Sequence, residues 1–228
     1  MTKRLEGIQA CVFDAYGTLF DFASAAQRCR DVLGANADVL TMLWRDKQLQ
    51  YTWLRAAQGL HADFWQVTGE ALDFALERLA IAVPGLRERL MHLYLTLDAF
   101  PEVPDVLQRL KTAGLRTAIL SNGSPKMLAS AVAGARLGGV LDAVLSVEEV
   151  GVYKPHPSVY ALAVERLRVP AGAIAFQSSN AWDAHAASAF GMKVAWCNRY
   201  RQPRERLPGA PDVEIGSLAE LPALLGLP

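Results

Sequence analysis

The sequence predicts an α/β fold, a doubly wound parallel sheet with a helical cap inserted after the first strand. Three observations carry this expectation. Short apolar runs alternate with amphipathic stretches from about residue 103 to residue 196, the pattern of strand–helix–strand units. An earlier apolar run, Ile8 to Phe13, ends on the lone carboxylate of Asp14, in front of a Gly17-Thr18 turn. Between the two lies a long stretch, about Phe22 to Thr96, with helical periodicity and no convincing strand.

That stretch holds three helical blocks. In Val39 to Ala57, Leu40, Leu43, Trp44 and Leu54 recur at helix spacing; Phe64 to Ala80 and about Arg87 to Leu97 follow. Gly34, Gly59 and Val83-Pro84-Gly85 supply the stops. The pattern changes after Phe100-Pro101-Glu102-Val103-Pro104. A helix from Asp105 to Ala113 ends at Gly114, and the strand Arg116 to Leu120 closes on Ser121-Asn122-Gly123. Helix Pro125 to Ala133, strand Ala143 to Val147 and helix Pro157 to Leu167 come next. Strand Ala173 to Phe176 leads into Gln177-Ser178-Ser179-Asn180, and helix Trp182 to Phe190 precedes strand Lys193 to Trp196. The tail, through Pro203, Pro208 and Pro211, is expected to be irregular until a last short helix near Leu218. Residues 1–20 and 98–228 then make the core, with residues 21–97 as the inserted cap.

Composition narrows the classes. The 228 residues are 52% hydrophobic, ample for a core. Lys plus Arg and Asp plus Glu number 23 each, so the charge balance gives no sign of a nucleic-acid partner. An anionic substrate would need a local cationic pocket. Cys11, Cys29 and Cys197 are an odd number without metal-type spacing and read as thiols in a reducing compartment. The N-terminus runs straight into a fold strand, without a signal-peptide apolar region, and no apolar run approaches the ~20 residues that span a bilayer. The expectation is a cytoplasmic protein with no membrane partner.

In open α/β sheets the loops at the carboxyl ends of the strands form the ligand site. An isolated Asp commonly caps a turn, but three further strand ends here also carry chemistry. Ser121-Asn122 end the second strand, Lys154 follows the third, and Ser178-Ser179-Asn180 with Asp183 follow the fourth. A carboxylate nucleophile needs a nearby cation to stay ionised, which Lys154 can supply. Asp183 can hold that ammonium and polarise a water. Ser121 and the amides around it can bind an anion where a helix begins. Ser121 lacks the Gly-x-Ser-x-Gly setting of a serine hydrolase. His61, His92, His156 and His185 have no metal spacing and read as packing or surface residues.

With these motifs in place the chain resembles the haloacid dehalogenase superfamily over essentially its whole length, and most closely its L-2-haloacid dehalogenase branch. The resemblance rests on Phe13-Asp14-Ala15-Tyr16-Gly17-Thr18-Leu19, on Trp44-Arg45-Asp46-Lys47-Gln48-Leu49-Gln50-Tyr51-Thr52-Trp53-Leu54, on Leu120-Ser121-Asn122-Gly123, on Lys154-Pro155-His156-Pro157 and on Ser178-Ser179-Asn180-Ala181-Trp182-Asp183. The segment around Arg45 is the branch-specific part.

The resemblance implies a Rossmann-like core, a homodimer through cap helices, no metal or other cofactor, and a small 2-haloacid, water and halide as reaction partners. It implies that Asp14 displaces halide to form an ester, which water near Asp183 and Lys154 then hydrolyses. Arg45 would accept the halide with Asn180 assisting. Thr18, Ser121 and the backbone amides of Ala15 and Asn122 would hold the substrate carboxylate or orient Asp14. Ser178 and Tyr160 would support Lys154 and Asp183, and Tyr16, Leu49, Phe64 and Trp182 would wall the substrate side chain.

Two rivals stay open at this level: a Mg²⁺-dependent phosphatase of the same superfamily, and a non-catalytic protein binding a small carboxylate. Against the first, Tyr16 stands where the phosphatases carry a second Asp, and Ser179 where they carry a metal-binding carboxylate. Two positions depart from the branch. Asp46 replaces its usual Gln beside Arg45, and Gln177 replaces an apolar residue and needs a hydrogen-bond partner if buried.

Overall fold

The computed structural model describes residues 4–227. Strand β1 (Ala10–Phe13) is apolar and buried at every position, as expected for the centre of a parallel sheet. Helices α1 (Ser24–Gln27), α2 (Arg30–Leu33), α3 (Asn36–Gln58), α4 (Phe64–Arg78) and α5 (Leu86–Tyr94) follow before the next strand. Then come α6 (Val103–Thr112), β2 (Arg116–Ser121), α7 (Pro125–Gly134), β3 (Ala143–Ser146), α8 (Pro157–Leu167), β4 (Ile174–Ser178), α9 (Ala181–Phe190), β5 (Lys193–Cys197), β6 (Val213–Ile215) and α10 (Leu221–Leu224).

Among the described residues six strands form one sheet in the order β3-β2-β1-β4-β5-β6, every neighbouring pair parallel. The chain winds outward from β1 through β2 to β3, then crosses back to lay β4, β5 and β6 on the other side. β1 is therefore where the winding reverses, the point at which such sheets open a crevice for ligands.

Local chemistry sets the helix limits. The C-cap of α3 is Gly59 in the left-handed region (φ 67°). Asp63 caps α4 by accepting from the Gln66 N–H at 3.0 Å. Pro104 in the first turn starts α6 two residues before the predicted Asp105, because its missing N–H is one that a first turn leaves unpaired anyway. α3 and α4, joined by residues 59–63, pack against each other and carry the inserted segment. Its two ends meet. The Asp21 N–H donates to the Asp98 carbonyl at 2.8 Å, the Phe100 N–H to the Leu19 carbonyl at 3.0 Å, and Phe20 forms a bridge with Ala99. No helix among the described residues is long and apolar enough to cross a membrane.

The tail corrects the expectation of an irregular chain. β6 adds a sixth strand, with Val213 opposite Ala195 and Ile215 opposite Cys197. A three-residue strand has too little periodicity to stand out in sequence. Tethers on the preceding loop place it: the carbonyls of Gly209 and Leu207 lie 2.9 and 3.2 Å from His185 Nδ1, and Ser188 Oγ donates to the Ala210 carbonyl at 2.6 Å. His185 thus has the packing role expected of it.

Gln177 lies at the end of β4, 0% exposed, paired in register with Phe13. Neither its amide nitrogen nor its side-chain oxygen has a hydrogen-bond partner among the described residues. A buried amide in that condition costs on the order of 1–3 kcal/mol. Gln177→Leu is expected to raise stability by about 1 kcal/mol in a denaturant titration, and a loss of stability would show that the amide is satisfied in solution.

Candidate active site

β1 hands Asp14 to the carboxyl edge of the sheet, where its N–H still donates to the Gln177 carbonyl at 2.9 Å. The chain then turns sharply. The N–H groups of Thr18, Leu19 and Phe20 all point at the Ala15 carbonyl, at 3.3, 2.9 and 3.0 Å, a turn that needs the positive φ of Gly17 (92°). It brings Thr18 back onto Asp14, with Thr18 Oγ1 donating to Asp14 Oδ2 at 3.1 Å. The Ser179 N–H donates to Thr18 Oγ1 at 2.8 Å, so the hydroxyl proton is directed at Asp14.

Lys154, on the loop after β3 and only 1% exposed, reaches the other carboxylate oxygen. Its Nζ lies 3.2 Å from Asp14 Oδ1 and 2.9 Å from Asp183 Oδ2, with the Phe176 ring 5.1 Å away. Its backbone N–H is held by Asn122 Oδ1 at 3.0 Å. Asp183, fully buried in the first turn of α9, accepts at its second oxygen from the Tyr160 hydroxyl at 2.7 Å.

Two carboxyl groups share one ammonium here, in a setting largely closed to water. Burial alone would lower the Lys154 pKa, but Asp14 and Asp183 beside it leave it above the usual lysine range. Asp183 is raised by burial and by the charge of Asp14, against the pull of Lys154. The Tyr160 phenol is pushed well up by burial and by Asp183, so it stays a donor.

Asn180, at the N-terminus of α9, is the hinge of the site. Its Nδ2 donates to Asp14 Oδ2 at 2.8 Å and to the Tyr16 carbonyl at 3.3 Å. Its Oδ1 accepts from Arg45 Nη2 at 3.3 Å. Arg45 comes from α3 in the inserted segment, its Nη2 also 3.4 Å from the Tyr16 carbonyl and its guanidinium 5.3 Å over the Phe22 ring. The neighbouring Asp46 is exposed.

Aromatic rings close the remaining side. Tyr16 packs 5.8 Å from Phe64 and 5.5 Å from Tyr94, and Trp44 lies 5.0 Å from Tyr94. A Cβ on Gly123 would fall 2.8 Å from the Tyr16 ring, so that position has room only for glycine. Other expected residues act on the loops. Ser121 Oγ accepts from the Gly123 N–H at 3.0 Å, and Ser178 Oγ from the Asn180 N–H at 3.1 Å. Leu49 is half-buried on α3, and Trp182 is half-buried with its ring edge-on to Trp53 at 5.4 Å. Gln48, Tyr94 and Phe22, which contact Arg45 or Tyr16, were not expected; Gln48 was signalled by its place three residues after Arg45, on the same helix face.

A family model described as haloacid dehalogenase-like hydrolase matches residues 8–191. The chain belongs to the haloacid dehalogenase-like hydrolases. Within that family it is 44% identical to (S)-2-haloacid dehalogenase 4A of Burkholderia cepacia, over 97% of this chain and 96% of that protein. It is 45% identical to (S)-2-haloacid dehalogenase 1 of Pseudomonas sp. (strain CBS-3), over 97% and 98%. Its structure superposes on that of the L-2-haloacid dehalogenase from Xanthobacter autotrophicus with chloropropionic acid covalently bound, at a TM-score of 0.89 and 38% identity, covering 96% of this chain and 98% of that one.

This charge trio sets a stability signature for the dehalogenase-like hydrolase. Removing the cation in Lys154→Met leaves two buried carboxylates unpaired and is expected to cost about 3–5 kcal/mol at neutral pH. Because the raised Lys154 pKa means that folding favours the protonated amine, the wild-type contribution is present below the lysine's unfolded pKa and is lost as pH rises through the folded one. The deficit of the variant should therefore shrink in strong alkali, and also in acid as Asp183, whose pKa is raised, protonates. Melts of both proteins across pH check it, and a pH-independent deficit would rule it out.

Proposed function

We propose that this protein hydrolyses short L-2-haloacids to D-2-hydroxy acids, with Asp14 as nucleophile. The observation that carries the reading is the contact of Arg45, from the inserted segment, with Asn180 while Asn180 holds Asp14. It sets a cation opposite a carboxylate, as a nucleophile facing a departing anion requires. The names of the relatives support the same chemistry.

In this reading Asp14, with the Lys154 ammonium 3.2 Å from its Oδ1, attacks C2 from the face opposite the halogen, so the carbon inverts. Halide is a weak base and leaves unprotonated, toward Arg45 and Asn180. The resulting ester is attacked by water at the Asp14 carbonyl carbon. Asp183, beside Lys154, takes a proton from that water as its hydroxide adds to the carbonyl. The ester C–O bond then breaks, the departing alkoxide takes that proton to leave as the hydroxy acid, and the Asp14 carboxyl loses its own proton to solvent. Residues 21–97 act as a cap that supplies Arg45, Phe64 and Leu49, while Thr18 and Tyr160 orient Asp14 and Asp183. Ser121 and the Ala15 and Asn122 amides receive the substrate carboxylate, and Tyr16 and Trp182 complete the apolar wall.

Tyr16 supports this reading over phosphoryl transfer. Burial pushes its phenol well above the usual range, so it is no acid for an alkoxide leaving group. The buried free thiols of Cys11, Cys29 and Cys197 fit a cytoplasmic setting. A homodimer through the cap belongs to the same proposal, supported by Val39, Met42 and Leu54, which α3 leaves about half exposed at 51%, 55% and 50%. Sedimentation at the mass of a single chain would refute it.

The central test is halide release from L- and D-2-chloropropionate, with a chelator present, in the wild type and in Asp14→Asn. Release from the L-isomer alone, reduced at least about a thousandfold in the variant, is expected. No release from either isomer, together with Mg²⁺-dependent cleavage of a phosphate ester, would replace this reading with the phosphatase.

A further inference from the structure

We propose that Gln48, oriented by Thr68, is a positioning residue that aims the Arg45 guanidinium at the departing halide; this rests on Arg45 being the halide acceptor. The chain of hydrogen bonds begins on α4. Thr68 Oγ1 donates to the Phe64 carbonyl at 2.6 Å, one turn back on its own helix. A carbonyl only accepts, so the hydroxyl proton is committed there, and Thr68 can only accept from anything else. Gln48 Nε2 lies 2.7 Å from that oxygen.

That single fact fixes which way the Gln48 amide faces. With its NH₂ turned to Thr68 and, at 3.2 Å, to the Tyr94 hydroxyl, Gln48 presents Oε1 to Arg45 Nη1 at 2.7 Å. The flipped amide would set two donors against each other. Gln48 is 1% exposed, so no bulk water relieves such a clash. Trp44 Nε1 donates to the Thr68 carbonyl at 2.8 Å and pins α3 to α4 beside this chain of bonds.

Geometry then shows why Arg45 needs the brace. Its contacts across to the core are long, 3.4 Å to the Tyr16 carbonyl and 3.3 Å to Asn180 Oδ1. The bond to Gln48 is the short one, and it holds one end of the planar guanidinium while the other faces the site. A neutral acceptor suits this task. A carboxylate at position 48 would hold the fork equally well, but would cancel the charge that a departing anion needs.

The experiment measures single-turnover halide release, which reports ester formation by itself, from L-2-chloro- and L-2-bromopropionate. Chloride is the poorer leaving group, so loss of halide stabilisation slows its release more than that of bromide. Thr68→Val, which keeps the shape and loses the acceptor, is expected to lower the chloride-to-bromide rate ratio about tenfold with substrate affinity held within about twofold. Thr68→Ser should restore the ratio. Gln48→Met, of similar size and without the acceptor, should lower it as well, so the test stands even if Thr68→Val fails to fold.

Arg45→Gln, which removes the cation, separates the two roles. If it lowers the ratio while Thr68→Val and Gln48→Met keep the wild-type value, the positioning role is overturned and the halide role of Arg45 stands. If Arg45→Gln itself keeps the wild-type ratio, the halide role falls, and the positioning role with it.

Discussion

An ammonium buried between two carboxylates is the constraint on which the rest of the structure depends. Lys154 is 1% exposed and Asp183 0%, so neither can be left to water, and each is tolerable only because the other is there. The fold meets that demand from four points along the carboxyl edge of the sheet. β1 delivers Asp14, the loop after β2 braces the Lys154 backbone through Asn122, the loop after β3 supplies Lys154, and α9 supplies Asp183. Each charged group is oriented by a neutral one: Thr18 and Asn180 for Asp14, Tyr160 for Asp183.

Arg45 sits outside that trio and answers to different bonds. Its support runs through α3 and α4, by way of Gln48 and Thr68, and it reaches Tyr16 and Asn180 at the sheet edge. The two cations of the site are thus held by separate parts of the chain. One belongs to the sheet edge and lies between two carboxyl groups. The other belongs to α3 and makes no carboxylate contact among the described residues of the site, which leaves its charge available to an anion.

Much of this was legible in the sequence, for reasons that differ from element to element. Asp14 stood out because a lone charge ends an apolar run, and Lys154 and Asp183 because they follow later strands in the same sense. β6 was not legible: three residues carry no period, and its place depends on where His185 and Ser188 hold the preceding loop. The brace on Arg45 was half legible. Gln48 shares a helix face with it, but the partners of Gln48 lie 20 residues on, at Thr68, and 46 residues on, at Tyr94. Such contacts are written in tertiary packing, beyond the reach of local pattern. Gln177 was flagged as a polar misfit by sequence and sits as one, buried without a side-chain partner.

The meeting of the two ends of the inserted segment has a consequence for how this fold can change. Asp21 bonds to Asp98 and Leu19 to Phe100, so the sheet sees the whole insertion as a loop whose mouth is already closed. The entropy of closing a loop grows only with the logarithm of its length. Lengthening, shortening or exchanging the helices beyond that mouth therefore costs the sheet little, and the carboxylate on β1 stays where it is. The seam of the mouth makes the upper half of the site a replaceable part, and the lower half a fixed one.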